Sequence, residues 1–224
     1  MSPVYQAAQL ACIDIYDPVA VDVFDKVYRI NETVCGTKLI DKRLHVVMQG
    51  TENLPGWMAD GDILPVVHPV LGHMHSGFWR NIPGLLKELV PDIDTMKQTL
   101  PDLEIEIEGH SKGAGEGAQV AGALHAAGYN VVQVYLFACP SPGFHDFASY
   151  LQANIPGLSY RNAPLEFPDF GDPVPLMPIL PYIGPYPHTG FDIAPPGFER
   201  MLDVEWHRGR YYLSGAQGTG GGQV

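Results

Sequence analysis

A strand-like alternation in the middle of the chain runs directly into a serine between glycines, and this stretch constrains the fold most. Residues 103–108 read Leu-Glu-Ile-Glu-Ile-Glu, and Gly109-His110-Ser111-Lys112-Gly113 follows at once. Residues 116–127 then have the composition of a helix. A strand, a sharp turn and a helix in this order form a nucleophile elbow, in which glycines leave room where strand and helix meet. The pattern therefore predicts an α/β fold with the Ser111 hydroxyl above the sheet.

Two backbone N–H groups are predicted to face a negative charge that develops beside Ser111. The first belongs to Lys112, because this residue lies at the N-terminus of the predicted helix. The second belongs to Thr51, which follows the strand-like residues 44–48 after Gln49-Gly50. The Thr51 hydroxyl is expected to fix this N–H in place. The two groups together are the expected oxyanion hole. An ordinary glycine-rich turn with an incidental serine fits the same five residues. The rest of the chain is therefore needed to distinguish this interpretation from a nucleophile elbow.

Helical and strand-like patterns alternate along the rest of the chain. Helical patterns cover residues 4–16, 82–90, 93–100 and 144–154, with Pro91 dividing the second from the third. Strand composition marks residues 27–30, 34–40, 44–48, 131–137 and 158–161, with a tight turn at Asp41-Lys42 and a Pro-, Gly- and His-rich loop before His75. This order predicts a mostly parallel central sheet with helices on both faces and an antiparallel N-terminal edge.

Length and charge narrow the classes of protein further. A chain of 224 residues fits one α/β domain, expected over residues 1–213, followed by a flexible Gly-rich tail at 214–224. The net charge of −12 argues against nucleic-acid partners. No apolar run reaches the length of a membrane span, so no stable membrane anchor is expected. The N-terminus lacks the pattern of a signal peptide, which leaves the cytoplasm and secretion as a mature form open.

Cysteines and histidines do not suggest a metal centre or a disulfide framework. Cys12, Cys35 and Cys139 are few, odd in number and scattered, so buried free thiols are expected. Zinc ligands are conceivable at three histidines, but no helix or strand period places them on one face. These are His68, His73 and His75. We expect hydrogen-bonded or surface histidines instead, with no metal and no cofactor.

A proline-rich stretch at residues 164–196 differs from everything before it. Its prolines alternate with large apolar residues, which makes it too rigid for a helix and too apolar for a solvated linker. It is either a loop packed over the core or, as we favour, one wall of an apolar substrate pocket. The candidate lining residues are Leu176, Met177, Ile179, Leu180 and Ile183.

Six short motifs resemble, in order, those of the class 3, fungal-type lipase family, and the resemblance extends from about Tyr5 to Leu213. In chain order they are Gln49-Gly50-Thr51, Gly56-Trp57-Met58-Ala59-Asp60, His75-Ser76-Gly77-Phe78, the elbow at residues 109–113, Cys139-Pro140-Ser141-Pro142-Gly143 and Asp172-Pro173-Val174-Pro175-Leu176-Met177-Pro178. The resemblance implies an α/β-hydrolase fold. It also implies hydrolysis of a small-molecule or lipid ester through an acyl-enzyme intermediate, without a cofactor.

The implied catalytic triad has the order serine, aspartate, histidine. Ser111 is the nucleophile and Asp172 the acid, with Asp169 as the runner-up acid. His207 resembles the family's base and is favoured, whereas His188 resembles a histidine that is usually structural and is the runner-up base. A serine hydrolase of an amide, thioester or phospholipid is an alternative. A non-catalytic binding or assembly module with the same fold is another.

Several residues depart from the family pattern. Lys112 stands where the family usually has leucine, and Glu116 one turn later is expected to pair with it. Gln49 replaces an arginine. Glu106 and Glu108 lie on a strand that should be central, where bare carboxylates are costly. We expect one of them at the end of the sheet, and Glu108 paired with Lys112 or another donor.

Overall fold

The computed structural model describes residues 2–17, 22–51, 64–161 and Leu213. Its strands are β1 (Lys26–Ile30), β2 (Thr33–Ile40), β3 (Arg43–Met48), β4 (Pro65–His68), β5 (Gly72–His75), β6 (Glu104–His110), β7 (Val131–Phe137) and β8 (Gly157–Arg161). Its helices are α1 (Pro3–Cys12), α2 (Ser76–Trp79), α3 (Ile82–Thr99), α4 (Lys112–Ala126) and α5 (His145–Asn154), with a short 3₁₀ helix at Asp14–Tyr16.

Six of these strands form one sheet in the order β1-β2-β3-β6-β7-β8. β1, β2 and β3 are antiparallel neighbours, whereas β3, β6, β7 and β8 run parallel to one another. The tight turn between β2 and β3 has positive φ at both Asp41 (48°) and Lys42 (68°), as the two-residue hairpin turn requires. The predicted sheet, parallel at its centre and antiparallel at its N-terminal edge, is confirmed.

Alternating residues of the central strands point to two separate cores, one on each face of the sheet. Leu44 and Val46 of β3 and Ile105 and Ile107 of β6 enter the larger core, where α3, α4 and α5 pack. The opposite face is covered by α1, whose small residues approach the sheet closely. Members of this second core are Ala7, Ala8, Ala11, Val47, Tyr135 and Phe137, and Leu213 packs against it. Helices therefore cover both faces, as the sequence predicts.

Two details of the predicted helices and loops were wrong. Residues 82–99 form one helix that contains Pro91, although the sequence predicts a break there. A proline inside a helix costs about 3 kcal/mol, but burying one leucine or isoleucine stabilises by about 1.5–3 kcal/mol. Leu85, Leu89 and Ile93 are all fully buried along this helix, so their packing outweighs the proline. The predicted loop before His75 contains an antiparallel hairpin of β4 and β5.

Some expectations fall on residues that the structure does not describe. The predicted tail at 214–224 and the proline-rich stretch at 164–196 both lie outside the described ranges. Among the helices within those ranges, none combines the length and the apolar character that crossing a bilayer demands.

Candidate active site

Ser111 occupies a strained turn between β6 and α4. Its backbone angles are φ 60° and ψ −131°, and α4 begins at the next residue. A residue with a Cβ rarely adopts positive φ, because such a conformation costs about 1–3 kcal/mol and persists only where its surroundings enforce it. The strand, turn and helix predicted around Ser111 are all present.

Two glycines make this turn possible. A Cβ on Gly109 would lie 2.3 Å from the carbonyl oxygen of Gly113, and a Cβ on Gly113 would lie 2.3 Å from the carbonyl oxygen of Met48. Both contacts are with backbone atoms, which cannot move aside as a flexible side chain can. Glycine is therefore required at both positions, for the close approach of strand and helix that the sequence pattern indicates.

The Ser111 side chain lies in a nearly closed environment. The residue is 1% exposed, and its amide donates to the carbonyl oxygen of Phe137 at 3.0 Å. Within the described ranges, Ser111 Oγ has no hydrogen-bond partner. A buried hydroxyl in this state is free to bond to a general base.

The segment that carries Thr51 lies directly against the elbow. A Cβ on Gly50 would lie 2.5 Å from the carbonyl oxygen of His110 and 3.0 Å from Ser111 Cβ. Thr51 is the next residue and ends the described range. Lys112 is the first residue of α4, so its N–H has no carbonyl one turn earlier in the helix to bond. The Thr51 and Lys112 N–H groups therefore belong to adjoining segments, and their role as oxyanion donors stays a prediction.

The Lys112 side chain belongs to a buried polar network. Its Nζ lies 2.7 Å from Glu116 Oε1, with the two side chains 6% and 1% exposed. Thr33 Oγ1 donates to the same carboxylate oxygen at 2.7 Å, and Asn81 Nδ2 donates to Thr33 Oγ1 at 3.2 Å. Burial raises the pKa of Glu116, while Lys112 opposes that shift. The predicted i,i+4 pair is confirmed.

Glu106 and Glu108 are both buried in the middle of the sheet, so the expectation that one lies at its end was wrong. They are 2% and 0% exposed. Arg43 Nη1 donates to Glu106 Oε2 at 2.9 Å, and His45 Nδ1 lies 2.5 Å from Glu108 Oε1. The expectation that Glu108 pairs with Lys112 or another donor is met by His45. The parallel register places His45 opposite Glu106, on the same face of the sheet as Glu108.

Burial sets the protonation of this sheet cluster. The pKa of Glu108 is raised well above its ordinary value, first by burial and then by the neighbouring Glu106 carboxylate. Burial also lowers the pKa of His45. Both shifts favour the neutral forms of the two side chains.

The described residues contain one group of three side chains with metal-ligand chemistry. It consists of His45, Glu106 and Glu108, whose ligand atoms lie within 4.8 Å of one another. The 2.5 Å between His45 Nδ1 and Glu108 Oε1 is a hydrogen-bond separation, shorter than the spacing of two ligands on one ion. The group is therefore a hydrogen-bonded pair beside an arginine–carboxylate pair.

The three histidines considered as zinc ligands have different surroundings. His68 Nδ1 accepts from the Val70 and Leu71 amides, each at 3.2 Å. His73 Nδ1 lies 2.6 Å from Asp146 Oδ2. His75 is buried, with its ring 5.2 Å from that of Phe78.

Most of the predicted triad lies outside the described residues. This applies to Asp172, Asp169, His207 and His188, and to the pocket candidates Leu176, Met177, Ile179, Leu180 and Ile183. Their roles stay predictions. Two residues were not identified from the sequence as important, namely Tyr16, which contacts the elbow at His110, and His45, which contacts Glu108 of the elbow strand. The alternation of Arg43 with His45, and of Glu106 with Glu108, was a sequence signal for His45. No sequence pattern marked Tyr16.

A protein-family comparison matches the part of the chain that contains the elbow. The sequence model described as "Lipase (class 3)" matches residues 45–181, which is more than half of the 224 residues. A secreted mono- and diacylglycerol lipase A from Penicillium cyclopium is 26% identical over 140 residues. That match covers 60% of this chain and 43% of the relative, so the chain spans less than half the length of this curated relative.

Solved structures show the same fold at low sequence identity. A triacylglycerol lipase from Penicillium expansum superposes with a TM-score of 0.67 at 19% identity, over 84% of this chain and 77% of the other. Another triacylglycerol lipase, whose catalytic centre is formed by a serine protease triad, gives a TM-score of 0.60 at 21% identity. The superposition covers 78% of this chain and 71% of that lipase.

Proposed function

Because the chain belongs to the class 3 lipase family, we propose that it is a serine carboxylester hydrolase whose nucleophile is Ser111. The observation that carries the proposal is the Ser111 backbone, held at φ 60° and ψ −131° between β6 and α4. Gly109 and Gly113 permit this conformation, and it places the serine at the carboxyl end of a central parallel strand. Strained backbone of this kind is typical of catalytic turns.

The proposed reaction uses one residue for each role. His207 takes the proton of Ser111 as Oγ attacks the ester carbonyl, and Asp172 orients the imidazole and stabilises its charged form. The N–H groups of Thr51 and Lys112 hold the oxyanion of the tetrahedral intermediate. The protonated His207 then gives its proton to the leaving alcohol. Water, activated by the same histidine, releases the acyl group from Ser111.

We infer a lipid ester as the substrate, with acylglycerols as the first class to test. The Penicillium cyclopium relative is a mono- and diacylglycerol lipase, and the two solved structures compared above are triacylglycerol lipases. The apolar residues Leu176, Met177, Ile179, Leu180 and Ile183 are the proposed acyl-chain wall. Proline-fixed backbone can hold such side chains in place without regular secondary structure.

A fluorophosphonate probe tests the nucleophile. The probe should label the wild-type protein at Ser111, and Ser111→Ala should take no label, because only an activated serine reacts quickly. Ser149→Ala is the matched control, since Ser149 is an exposed serine on α5 and should not affect labelling. A folded wild-type protein that takes no label, or takes it at another residue, would overturn the proposed function.

A panel of acyl substrates tests the substrate class. Mono-, di- and triacylglycerols and p-nitrophenyl esters of graded chain length should be hydrolysed, with turnover lost in Ser111→Ala. Amides, thioesters and phospholipids in the same panel test the alternative of a serine hydrolase with another acyl substrate. Labelling without turnover of any acylglycerol would keep the nucleophile but reject this substrate class.

A further inference from the structure

The hydroxyl of Tyr16 bridges the two segments that meet at the proposed oxyanion hole. Tyr16 ends the short 3₁₀ helix at Asp14–Tyr16. Its hydroxyl accepts from the Gly50 amide at 3.1 Å and lies 3.0 Å from His110 Nδ1. The ring of Tyr16 also meets the ring of His110 edge to face, with centroids 6.0 Å apart and planes at 72°.

Each bridged residue lies immediately before one that the proposed mechanism uses. Gly50 precedes Thr51, and His110 precedes Ser111. A tyrosine hydroxyl has one proton and two lone pairs, so it can accept from the Gly50 N–H and donate to His110 Nδ1 together. Residues 49–51 are called the oxyanion segment here. The Tyr16 hydroxyl oxygen thus connects this segment to the elbow, although Tyr16 is remote in sequence from both.

The backbone at this point has little freedom to move. A Cβ on Gly50 would lie 2.3 Å from the Tyr16 hydroxyl and 2.5 Å from the carbonyl oxygen of His110. The neighbouring Gln49 makes a second attachment to the same N-terminal segment, because its Nε2 donates to the carbonyl oxygen of Ile15 at 3.0 Å. The oxyanion segment therefore forms hydrogen bonds with two consecutive residues of the N-terminal segment, Ile15 and Tyr16.

We propose that Tyr16 is a positioning residue for the oxyanion hole, and this inference rests on the proposed function. Its hydroxyl fixes the backbone that leads into Thr51 at a set distance from Ser111. Oxyanion donors act because they are already in place when negative charge develops, and small displacements of catalytic groups lower the rate strongly. In this role Tyr16 acts through the backbone that its hydroxyl holds at Gly50 and through the ring of His110.

Tyr16→Phe tests the proposal because it removes the hydroxyl and keeps the ring against His110. We expect kcat for ester hydrolysis to fall roughly tenfold, less than the loss of a whole oxyanion donor, which costs about 100- to 1,000-fold. KM should change by less than about twofold, because the hydroxyl orders a group that acts in the transition state. Fluorophosphonate labelling of Ser111 should slow by a factor similar to that for kcat.

Tyr150→Phe is a closely matched control on a distant part of the fold. The Tyr150 hydroxyl lies 3.0 Å from His125 Nδ1, and the two rings also meet edge to face at 5.9 Å and 72°. This pair connects α4 and α5 instead of the elbow and the oxyanion segment. Tyr150→Phe should lose a similar hydrogen bond and leave kcat and labelling unchanged.

Amide hydrogen exchange measures the bridge independently of activity. The Gly50 amide should exchange faster in Tyr16→Phe than in the wild type or in Tyr150→Phe, because its acceptor is gone. Unchanged exchange at Gly50 would overturn the bridge. Faster exchange with kcat and labelling within about twofold of wild type would overturn the positioning role, since a lost donor position costs far more.

The outcome also separates this inference from the proposed function. An active wild type with a normally active Tyr16→Phe variant rejects only the role of Tyr16. A wild type that neither hydrolyses esters nor reacts with the probe rejects the hydrolase function, and the positioning role with it.

Discussion

His45 Nδ1 lies 2.5 Å from Glu108 Oε1 between two neighbouring parallel strands, and Glu108 is fully buried there. One proton occupies this short contact, because two bare acceptors would repel each other. Glu108 Oε2 is buried without a hydrogen-bond partner among the described residues, which favours the neutral carboxyl group. The pair therefore links the stability of the central sheet to pH.

We predict that Glu108→Gln makes the protein less sensitive to rising pH. The folded-state pKa of Glu108 is raised by burial, so its contribution to stability is full below the unfolded value of about 4.3 and is lost as pH rises through the folded value. The amide side chain of the variant cannot ionise. Urea unfolding between about pH 5 and pH 9 should therefore show that the free energy of unfolding of the variant, relative to that of the wild type, increases with pH. A constant difference across that range would mean that Glu108 is not protonated in the fold.

We predict that Lys112→Met destabilises the protein by about 3–5 kcal/mol, because it leaves the buried Glu116 carboxylate without its charge partner. Adding Glu116→Gln should recover much of that loss, since the amide oxygen still accepts from Thr33 and no buried charge remains. Urea unfolding of the single and double variants measures both effects. Additive losses would show that the pair has no energetic coupling.

An exposed ion pair provides the control for this cycle. Lys26 Nζ lies 2.5 Å from Asp92 Oδ2, with the two side chains 52% and 33% exposed. Because water screens such a pair, Lys26→Met should cost less than about 1 kcal/mol.

Two glycines on the same helix should respond in opposite ways to alanine. A Cβ on Gly117 would meet its nearest atom at 3.5 Å, whereas one on Gly113 would meet the Met48 carbonyl oxygen at 2.3 Å. Gly117→Ala should stabilise the protein by about 0.5–1 kcal/mol, because alanine favours the helix. Gly113→Ala should destabilise it and reduce probe labelling of Ser111. Thermal unfolding and labelling rates measure both, and a destabilised Gly117→Ala would contradict this packing.

The two candidate bases can be separated by paired substitutions. His207→Ala should abolish ester hydrolysis to about the residual rate of Ser111→Ala, because triad members act as a unit. His188→Ala should mainly lower the melting temperature and retain turnover. A folded His188→Ala without activity, beside an active His207→Ala, would assign the base to His188.

Local sequence patterns predicted those parts of the structure that depend on neighbouring residues. The alternation of β6, the glycines around Ser111 and the i,i+4 spacing of Lys112 and Glu116 all correspond to contacts within a few residues. These patterns also produced the correct sheet, since strands and helices alternate in the order that parallel pairing requires.

Contacts between distant residues were beyond those patterns. The partner of Glu108 follows from the register of β3 against β6, which no local period specifies. The Tyr16–His110 contact joins residues 94 apart. At Pro91 the local rule itself was misleading, because the buried side chains of α3 stabilise the helix through packing that the sequence does not display.

The acidic residues on the α1 side of the sheet also restrict how the strands can pair while the chain folds. Glu106 and Glu108 alternate with Ile105 and Ile107, so a slip of β6 by one residue would exchange the two sets between the faces. The two carboxyl groups would then enter the apolar core beside Val46, away from Arg43 and His45, where burying one charged carboxylate costs several kcal/mol. Mispaired sheets of this kind are therefore strongly disfavoured. The same acidic residues that are costly to bury in the native sheet help to select a single strand alignment.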